Sequence, residues 1–186
     1  MEHKGTAAIE TSRLLLRRFR KRDAPAVFAN WANDEMVTKY LTWPPHKSVA
    51  VTEKVISEWT ESYKNDGFYQ WAIVLKEIDE PIGSISVVGK DEKVNSVHIG
   101  YCIGRKWWNQ GIVTEAFLAV IRFLFEEVKV NRIDARHDTN NPASGRVMEK
   151  CGLKYEGTLR QADFNNQGID DVSVYSILAS EYFSEK

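Results

Sequence analysis

Residues 107–116 read WWNQGIVTEA and form a single-glycine turn between two apolar segments. The segment before the turn, 97–103, is short and apolar, whereas the segment after it, 114–128, has the apolar spacing of an amphipathic helix. A strand–turn–helix arrangement directs free backbone N–H groups toward the positive end of the helix dipole, where phosphates bind. We therefore expect the turn to hold a pyrophosphate group through its backbone and the Thr114 hydroxyl, with these residues as candidates: Trp108, Asn109, Gln110, Gly111, Ile112, Val113 and Thr114. The alternative is a plain connecting turn, because the run is neither a Walker loop nor the three-glycine dinucleotide fingerprint.

A second polar loop strengthens the prediction that a phosphate-bearing ligand binds at this edge of the sheet. Residues 138–144, DTNNPAS, follow a predicted strand at 132–136 and lead into a predicted helix. Asn140 or Asn141 suits the cap of that helix, and Pro142 suits its first turn. Two consecutive strands thus each end in a loop that opens a helix, and ligands collect at such strand ends in α/β sheets.

Four helices and seven strands are predicted from hydrophobic periodicity and turn signals. Along the helix at 114–128 the apolar stripe that should pack on the sheet is Val113, Phe117, Val120, Leu124 and Val128. The predicted helices are 24–33, 48–64, 114–128 and 144–150. The predicted strands are 13–19, 69–75, 81–88, 97–103, 132–137, 153–164 and 168–177, the last two joined by a hairpin turn at 165–168.

Composition restricts the class of protein. A chain of 186 residues fits one domain, 1–186, in which we expect residues 1–10 to be a flexible start. A net charge of −1 argues against nucleic-acid binding. The distant Cys102 and Cys151 match no zinc spacing and indicate free thiols in a reducing compartment. With neither a signal-peptide core nor an apolar run of membrane-spanning length, we expect a cytoplasmic monomer or homodimer that does not bind membranes.

Several motifs, taken in order, resemble the Gcn5-related N-acetyltransferase (GNAT) family, and more narrowly its RimJ/RimL type, which acetylates the N-terminal amine of ribosomal proteins. The motifs are 99–101 (IGY), 108–111 (WNQG), 114–116 (TEA), 141–144 (NPAS) and 149–153 (EKCGL), and the resemblance runs from 10–17 (ETSRLLLR) to 171–175 (DVSVY). It implies one α/β domain with a central, mixed, mostly antiparallel sheet of about seven strands and about four flanking helices. The sheet would be splayed between its fourth and fifth strands.

The resemblance also implies acetyl-CoA as co-substrate and no metal. Its pantetheine arm would lie between the splayed strands, with the thioester carbonyl facing backbone N–H groups late in 97–103, as far as Ile103. Asn141 would hydrogen-bond the arm, and simple helix capping is the alternative for this residue. The family has a small residue where this chain has Val113, so its branched side chain either crowds the phosphate site or belongs to the core.

His98 is the candidate general base. In histone-acetylating members of the family a Glu stands at this place and takes the proton from the amine, and a histidine titrates near neutrality. The alternative is a solvated histidine on an alternating strand. An α-amine, with a pKa near about 8, is partly neutral without any base, whereas a lysine amine is not.

The proton donor to the leaving thiolate is less apparent. Many family members have a tyrosine where this chain has Met148, so that role is absent or moved. Ser144 is the nearest aligned hydroxyl and a candidate for the cofactor sulfur, and a helix-start role is its alternative. Cys151 has no activating base beside it in sequence, which favours direct attack by the amine over an acetylated cysteine.

The sequence leaves the identity of the acceptor amine open. Candidate substrate contacts are Glu35, Tyr40, Trp43 and Tyr69. The first hypothesis is that the acceptor is a protein or peptide N-terminus, such as that of a ribosomal protein. A polyamine or aminoglycoside is the second, with carboxylates from Glu35, Glu58, Glu61 and Asp163 as the sources of negative charge. A non-catalytic CoA-binding module and a plain structural domain are the remaining readings.

Overall fold

The computed structural model describes residues 1–184 and contains one eight-stranded sheet. In chain order its strands are β1 (Ile9–Glu10), β2 (Leu14–Arg17), β3 (Gln70–Leu75), β4 (Glu80–Asp91), β5 (Ser96–Ile103), β6 (Arg132–Asp138), β7 (Lys154–Asn165) and β8 (Gly168–Leu178). The spatial order is β1-β2-β3-β4-β5-β6-β8-β7, and β5–β6 is the one parallel pair among the described strands. The mixed, mostly antiparallel α/β sheet predicted from the sequence is therefore confirmed, with one more strand than expected.

Six α-helices flank this sheet in the described part of the chain: α1 (Ala24–Val27), α2 (Glu35–Thr38), α3 (Val49–Ser62), α4 (Ile112–Phe123), α5 (Pro142–Lys150) and α6 (Ala179–Ser184). Two predicted helices change type along their length, because α1 and α4 continue as single π-helical segments, Phe28–Ala32 and Leu124–Val128. The two-residue β1 and the short α2 and α6 were not predicted, since such short segments carry too few residues to show a period.

Two hydrophobic clusters lie on opposite faces of the sheet. The larger cluster packs α4 on the sheet and contains the whole predicted stripe, Val113, Phe117, Val120, Leu124 and Val128. The smaller one lies beneath α1 and α3 and is built around Phe19, Trp31 and Ile56. The alternating side chains of β5 contribute to both, because Val97 and Ile99 join the larger cluster while Cys102 packs on the smaller.

The start of the chain differs from the flexible segment that was expected. The backbone amide of Gly5 donates to the carbonyl of Asp66 at 2.8 Å, and the Thr6 hydroxyl donates to the carbonyl of Phe68 at 2.9 Å. His3 contacts the Tyr69 hydroxyl at 3.0 Å. These partners lie just before β3, so the first residues of the chain are hydrogen-bonded to the segment that leads into this strand.

A buried ion pair joins β2 to the start of α1. Arg17 donates two hydrogen bonds to Asp23, at 2.7 and 3.0 Å, and the two residues are 8% and 5% exposed. Asp23 also accepts from the backbone amide of Arg20 at 2.8 Å. This pair fixes the entry of the helical layer that covers one face of the sheet.

Removing one partner of this pair leaves a buried charge without compensation, so we expect Asp23→Ala to lower the free energy of unfolding by about 3–5 kcal/mol. Urea denaturation followed by circular dichroism measures this as a lower midpoint at an unchanged m-value. Glu61→Ala is the control, because its partner Lys64 is on the surface and its loss leaves the midpoint almost where it was. Equal midpoints for the two variants would contradict the prediction.

Candidate active site

The site is formed where β5 and β6 separate. Their parallel pairing covers Ser96↔Arg132 to Ile99↔Ala135 and ends there, although both strands continue. Beyond that point β6 stays paired with β8, and β5 stays paired with β4. The sheet therefore opens as a V between residues 100–103 and 136–138, at the place that the sequence predicted.

Two cavities meet at this opening. We call the first, of about 650 Å³, the turn cavity, because residues 107–114 and α5 line it. We call the second, of about 710 Å³, the hairpin cavity, because α3 and the β7–β8 hairpin line it. The residues that line both are Tyr40, Leu41, Tyr101, Cys102, Asn141 and Ser144. A molecule in one cavity thus reaches a molecule in the other through the gap between β5 and β6.

The turn cavity brings together the residues predicted to hold the cofactor. Ile103 and all of Trp108 to Thr114 line it. Gly111 has a φ of 71° and immediately precedes α4, whose first N–H groups have no partner within the helix. Trp108 is 39% exposed, and its indole Nε1–H donates to the carbonyl of Ile103 at 3.0 Å. The strand end and the turn are thereby fixed to each other.

The sequence left two alternatives for the Val113 side chain, crowding of the phosphate site or a place in the core, and the structure favours the core. It is 9% exposed and lies in the larger hydrophobic cluster, so most of its branched side chain packs away from the turn cavity. Val113 is nevertheless one of the residues that line the turn cavity.

Basic side chains that the sequence analysis missed complete the turn cavity. Lys39, Arg146 and Lys150 line it, and within residues 1–184 no carboxylate does. Arg146 and Lys150 lie one helical turn apart on α5, across from the first turn of α4. This cavity therefore combines free backbone N–H groups with three positive charges, a combination that suits a ligand bearing several phosphates.

The turn is tethered from the other end of the chain. Arg13 donates to the Gln110 carbonyl at 3.0 Å and to the Glu115 carboxylate at 2.7 Å. Burial opposes ionisation of Glu115, but hydrogen bonds from Thr11, Ser12 and Arg13 outweigh it and lower the pKa of Glu115 to about 2. Since the ordinary value is 4.5, this interaction is complete above that pH and weakens only as the pH falls toward 2.

Asn141 and Ser144 lie at the junction of the two cavities. Asn141 precedes α5, yet its side chain makes no capping hydrogen bond, so the capping alternative does not hold. The Ser144 hydroxyl contacts the Tyr101 hydroxyl at 2.9 Å, and Tyr101 also donates to the Ser144 carbonyl at 3.0 Å. Burial raises the pKa of Tyr101 well above its ordinary value, so this hydroxyl keeps its proton. Met148, by contrast, is a core residue, 1% exposed.

His98 lines the hairpin cavity one residue pair before the strands separate. Its Nδ1 lies 2.5 Å from Oδ1 of Asp134, the residue directly opposite on β6. The side chains are 18% and 21% exposed. Because Nδ1 is engaged, Nε2 is the ring nitrogen left for a ligand in the cavity. Asp134 was not predicted, since its pairing with His98 depends on the register of two strands 36 residues apart.

The four predicted acceptor contacts divide into two pairs. Tyr40 and Trp43 line the hairpin cavity, and the Trp43 ring lies 5.3 Å from the ring of His46. Glu35 is on the surface of α2 and lines neither cavity. Tyr69 is 1% exposed and stacks on Trp71 on the α4 side of the sheet, so its selection as a substrate contact is wrong.

Acidic groups in the hairpin cavity were missed apart from Asp163. Asp138, Asp163 and Asp170 line it. Among the described residues that line this cavity, Arg136 is the only lysine or arginine. Burial, followed by the charges of Asp138 and Asp163, raises the pKa of Asp170. Glu58 and Glu61, which were considered as sources of negative charge, do not line it. The hairpin cavity is therefore acidic where the turn cavity is basic.

A polar contact closes one end of the hairpin cavity. Asn166, at the tip of the β7–β8 hairpin, donates from its side chain to the carbonyls of Thr38 and Trp43, both at 2.8 Å. Its backbone amide donates to the carbonyl of Leu41 at 3.1 Å. The hairpin thus holds the loop that carries Tyr40 and Trp43 over the cavity.

Comparison with known proteins agrees with this geometry. The model of the acetyltransferase (GNAT) domain matches residues 13–154. An uncharacterized N-acetyltransferase of Bacillus subtilis, YoaA, is 34% identical over 91% of this chain and 96% of its own. The ribosomal-protein-serine acetyltransferase of Escherichia coli is 29% identical over 77% of this chain and 80% of its own.

A solved structure has the same fold. RimL, a ribosomal L7/L12 α-N-protein acetyltransferase in complex with coenzyme A, superimposes with a TM-score of 0.83 over 92% of this chain and 98% of its own, at 20% identity. The chain belongs to the GNAT acetyltransferase family, as its motifs predicted, and is an acetyl-CoA-dependent N-acetyltransferase. Within residues 1–184 no helix has the length and apolar character needed to cross a membrane.

The Arg13 tether predicts an effect on cofactor affinity. Arg13→Ala removes the hydrogen bond to the Gln110 carbonyl and the one to the Glu115 carboxylate, so we expect the Kd for acetyl-CoA to rise about tenfold, roughly 1.4 kcal/mol. Isothermal titration calorimetry measures the change. Arg122→Ala, an exposed position on α4 outside both cavities, is the matched control. An unchanged Kd in Arg13→Ala would show that the turn keeps its shape without the tether.

The closure by Asn166 predicts an effect mainly on the acceptor. Asn166→Ala frees the 38–43 loop, so we expect the KM of the acceptor amine to rise about fivefold for each hydrogen bond of about 1 kcal/mol that is lost. We expect the Kd for acetyl-CoA to change much less, because only Lys39, Tyr40 and Leu41 of this loop line the turn cavity. Steady-state kinetics and calorimetry test the two halves, with the neighbouring Gln167→Ala as control. A parallel loss of acetyl-CoA binding would contradict the assignment.

Proposed function

We propose that this N-acetyltransferase holds acetyl-CoA in the turn cavity and acetylates a primary amine that enters the hairpin cavity, with a protein or peptide N-terminus as the acceptor. The observation that carries the proposal is the separation of charge across the opened sheet. Lys39, Arg146 and Lys150 surround the free N–H groups on one side, and Asp138, Asp163 and Asp170 line the other. A polyanionic cofactor and an ammonium group each find opposite charge in a different cavity.

Acetyl-CoA supplies the activated acetyl group as a thioester. Nε2 of His98 accepts the proton that the ammonium group must lose, because an ammonium nitrogen has no lone pair. The neutral amine nitrogen then forms the new bond to the acetyl carbon as the carbon–sulfur bond breaks. The Tyr101–Ser144 hydroxyl pair, at the junction of the cavities, hydrogen-bonds the leaving thiolate, which takes up the proton that the acylated nitrogen releases.

Direct attack is favoured because neither cysteine suits the role of nucleophile. Burial raises the pKa of Cys151 to about 12 and also raises that of Cys102, so both remain thiols at neutral pH. Cys151 contacts the carbonyl of Thr114 at 3.7 Å and lines neither cavity. The acetyl group therefore moves to the amine in one step, within a ternary complex.

The choice of an N-terminal acceptor is supported by relatives. The Escherichia coli relative is named a ribosomal-protein-serine acetyltransferase, and RimL is named an α-N-protein acetyltransferase. An α-amine, with a pKa near about 8, also places a modest demand on a single histidine base. The second candidate is a small polycationic amine. It is favoured by the three carboxylates that line the hairpin cavity and by the hydrogen bonds of Asn166 that close one end of it.

A thiol-release assay with acetyl-CoA tests the proposal. The acceptors are peptides with N-terminal Ala or Ser, lysine peptides with blocked N-termini, polyamines and aminoglycosides. We expect the N-terminal peptides to react fastest. Faster release with a polyamine would replace the first candidate with the second, and acetyl-CoA binding without release on any acceptor would oppose both.

The proposed roles of His98 and Asn141 predict different effects on the kinetic constants. We expect His98→Ala to lower kcat/KM at pH 7 about 100-fold, with partial recovery at high pH as the free amine loses its proton. Asn141→Ala raises the KM for acetyl-CoA. His3→Ala, at a histidine outside both cavities, is the control. An unchanged rate in His98→Ala removes this residue from the mechanism.

A further inference from the structure

We infer that Asp134 is a positioning residue for the reaction, and that it holds His98 with Nδ1 protonated and Nε2 facing the hairpin cavity. The inference rests on the proposed function of His98 as base. The parallel register places the two residues directly opposite each other in the penultimate pair before the sheet opens. A carboxylate that accepts from Nδ1–H selects one tautomer, leaving the lone pair on Nε2.

Asp134 is itself held in place. Its Oδ2 lies 3.8 Å from Nε of Arg132, two residues earlier on β6. Arg132 in turn donates two hydrogen bonds to Glu156 of β7, at 2.7 and 2.6 Å, and Glu156 accepts from the Ser176 hydroxyl of β8 at 2.7 Å. Side-chain hydrogen bonds from Arg132 and Ser176 lower the pKa of Glu156 to about 2, so the Arg132–Glu156 pair stays charged at neutral pH.

The series of hydrogen bonds and ion pairs from His98 to Ser176 links four strands, β5, β6, β7 and β8. It alternates in charge, because the carboxylate of Asp134 lies between the ring of His98 and the guanidinium of Arg132. On the opposite flank, β4 presents Gly89, where a Cβ would lie 3.5 Å from that of His98. The charged groups next to His98 therefore come from the β6 side, and Asp134 is the one in hydrogen-bond contact.

The geometry also explains why the ring needs a partner. His98 is partly exposed and lines an open cavity, where an imidazole exchanges freely between two tautomers and several rotamers. The wrong tautomer would direct an N–H, rather than a lone pair, at the ammonium group. The strands are rigid at this point, since Ile99 and Ala135 of the next pair lie in the hydrophobic core. Asp134 therefore fixes the ring relative to the place where the sheet opens.

Asp134→Asn and a double-mutant cycle with His98→Ala test the inference. We expect Asp134→Asn to lower kcat for the acceptor amine at least about tenfold, a part of the 10²–10⁴ that a general base contributes. The Kd for acetyl-CoA stays unchanged. In a His98→Ala background the same substitution has no further effect, because Asp134 acts through His98. An Asp134→Asn loss that adds fully to that of His98→Ala would overturn the inference.

Long-range ¹H–¹⁵N spectra supply a readout that does not depend on turnover. Nδ1 of His98, assigned by loss of its signal in His98→Gln, is protonated in the neutral ring of the parent protein. In Asp134→Ala the signals shift toward the Nε2–H tautomer. Asp91→Asn, at the last residue of β4, is the matched control and changes neither spectrum nor rate. A parent spectrum with Nε2–H would overturn the inference. The expected tautomer without amine acetylation would instead count against the proposed function alone.

Discussion

The early end of parallel pairing between β5 and β6 is the constraint on which the site depends. After Ile99↔Ala135 the facing backbone edges of 100–103 and 136–138 no longer bond to each other. Unpaired backbone groups in a sheet interior are costly unless another partner satisfies them. The indole of Trp108 already takes the carbonyl of Ile103. The rest of the gap offers hydrogen-bonding edges to an extended, amide-containing chain such as the pantetheine arm of the cofactor. The same defect that weakens the sheet thus joins the turn cavity to the hairpin cavity.

Charge divides along this opening. The basic residues of the turn cavity come from α5 and the 36–41 segment, and the acidic residues of the hairpin cavity come from β6, β7 and β8. Asp138 is 6% exposed and is hydrogen-bonded to Asn140 and Asn165, which allows a carboxylate to remain at the cavity wall. In the proposed function, this division of charge favours the cofactor in the turn cavity and the amine in the hairpin cavity, with the reaction at the gap between the strands.

The parts of the fold that local sequence determines were predicted. The α4 stripe, the turn at Gly111 and the hairpin turn at 165–168 follow from apolar spacing and turn chemistry within a few residues. The pairing of His98 with Asp134, the grouping of Asp138 and Asp170 with Asp163 and the Arg13 tether were not, because each joins residues far apart in the chain. Tyr69 shows the converse error, since an aromatic residue at a strand start has no local mark that distinguishes a cavity wall from a core position.

The two sides of the site are also built differently. The turn cavity draws most of its wall from the continuous segment 101–114 and α5, so its shape follows from local backbone conformation, including the left-handed Asn109 and Gly111. The hairpin cavity is assembled from α1, α3, the 40–46 loop and the six strands β3 to β8, and Asn166 joins two of these parts by three hydrogen bonds. In the proposed function, changes in the hairpin therefore act on the acceptor side, whereas the loop is shared, because its Tyr40 and Leu41 line both cavities.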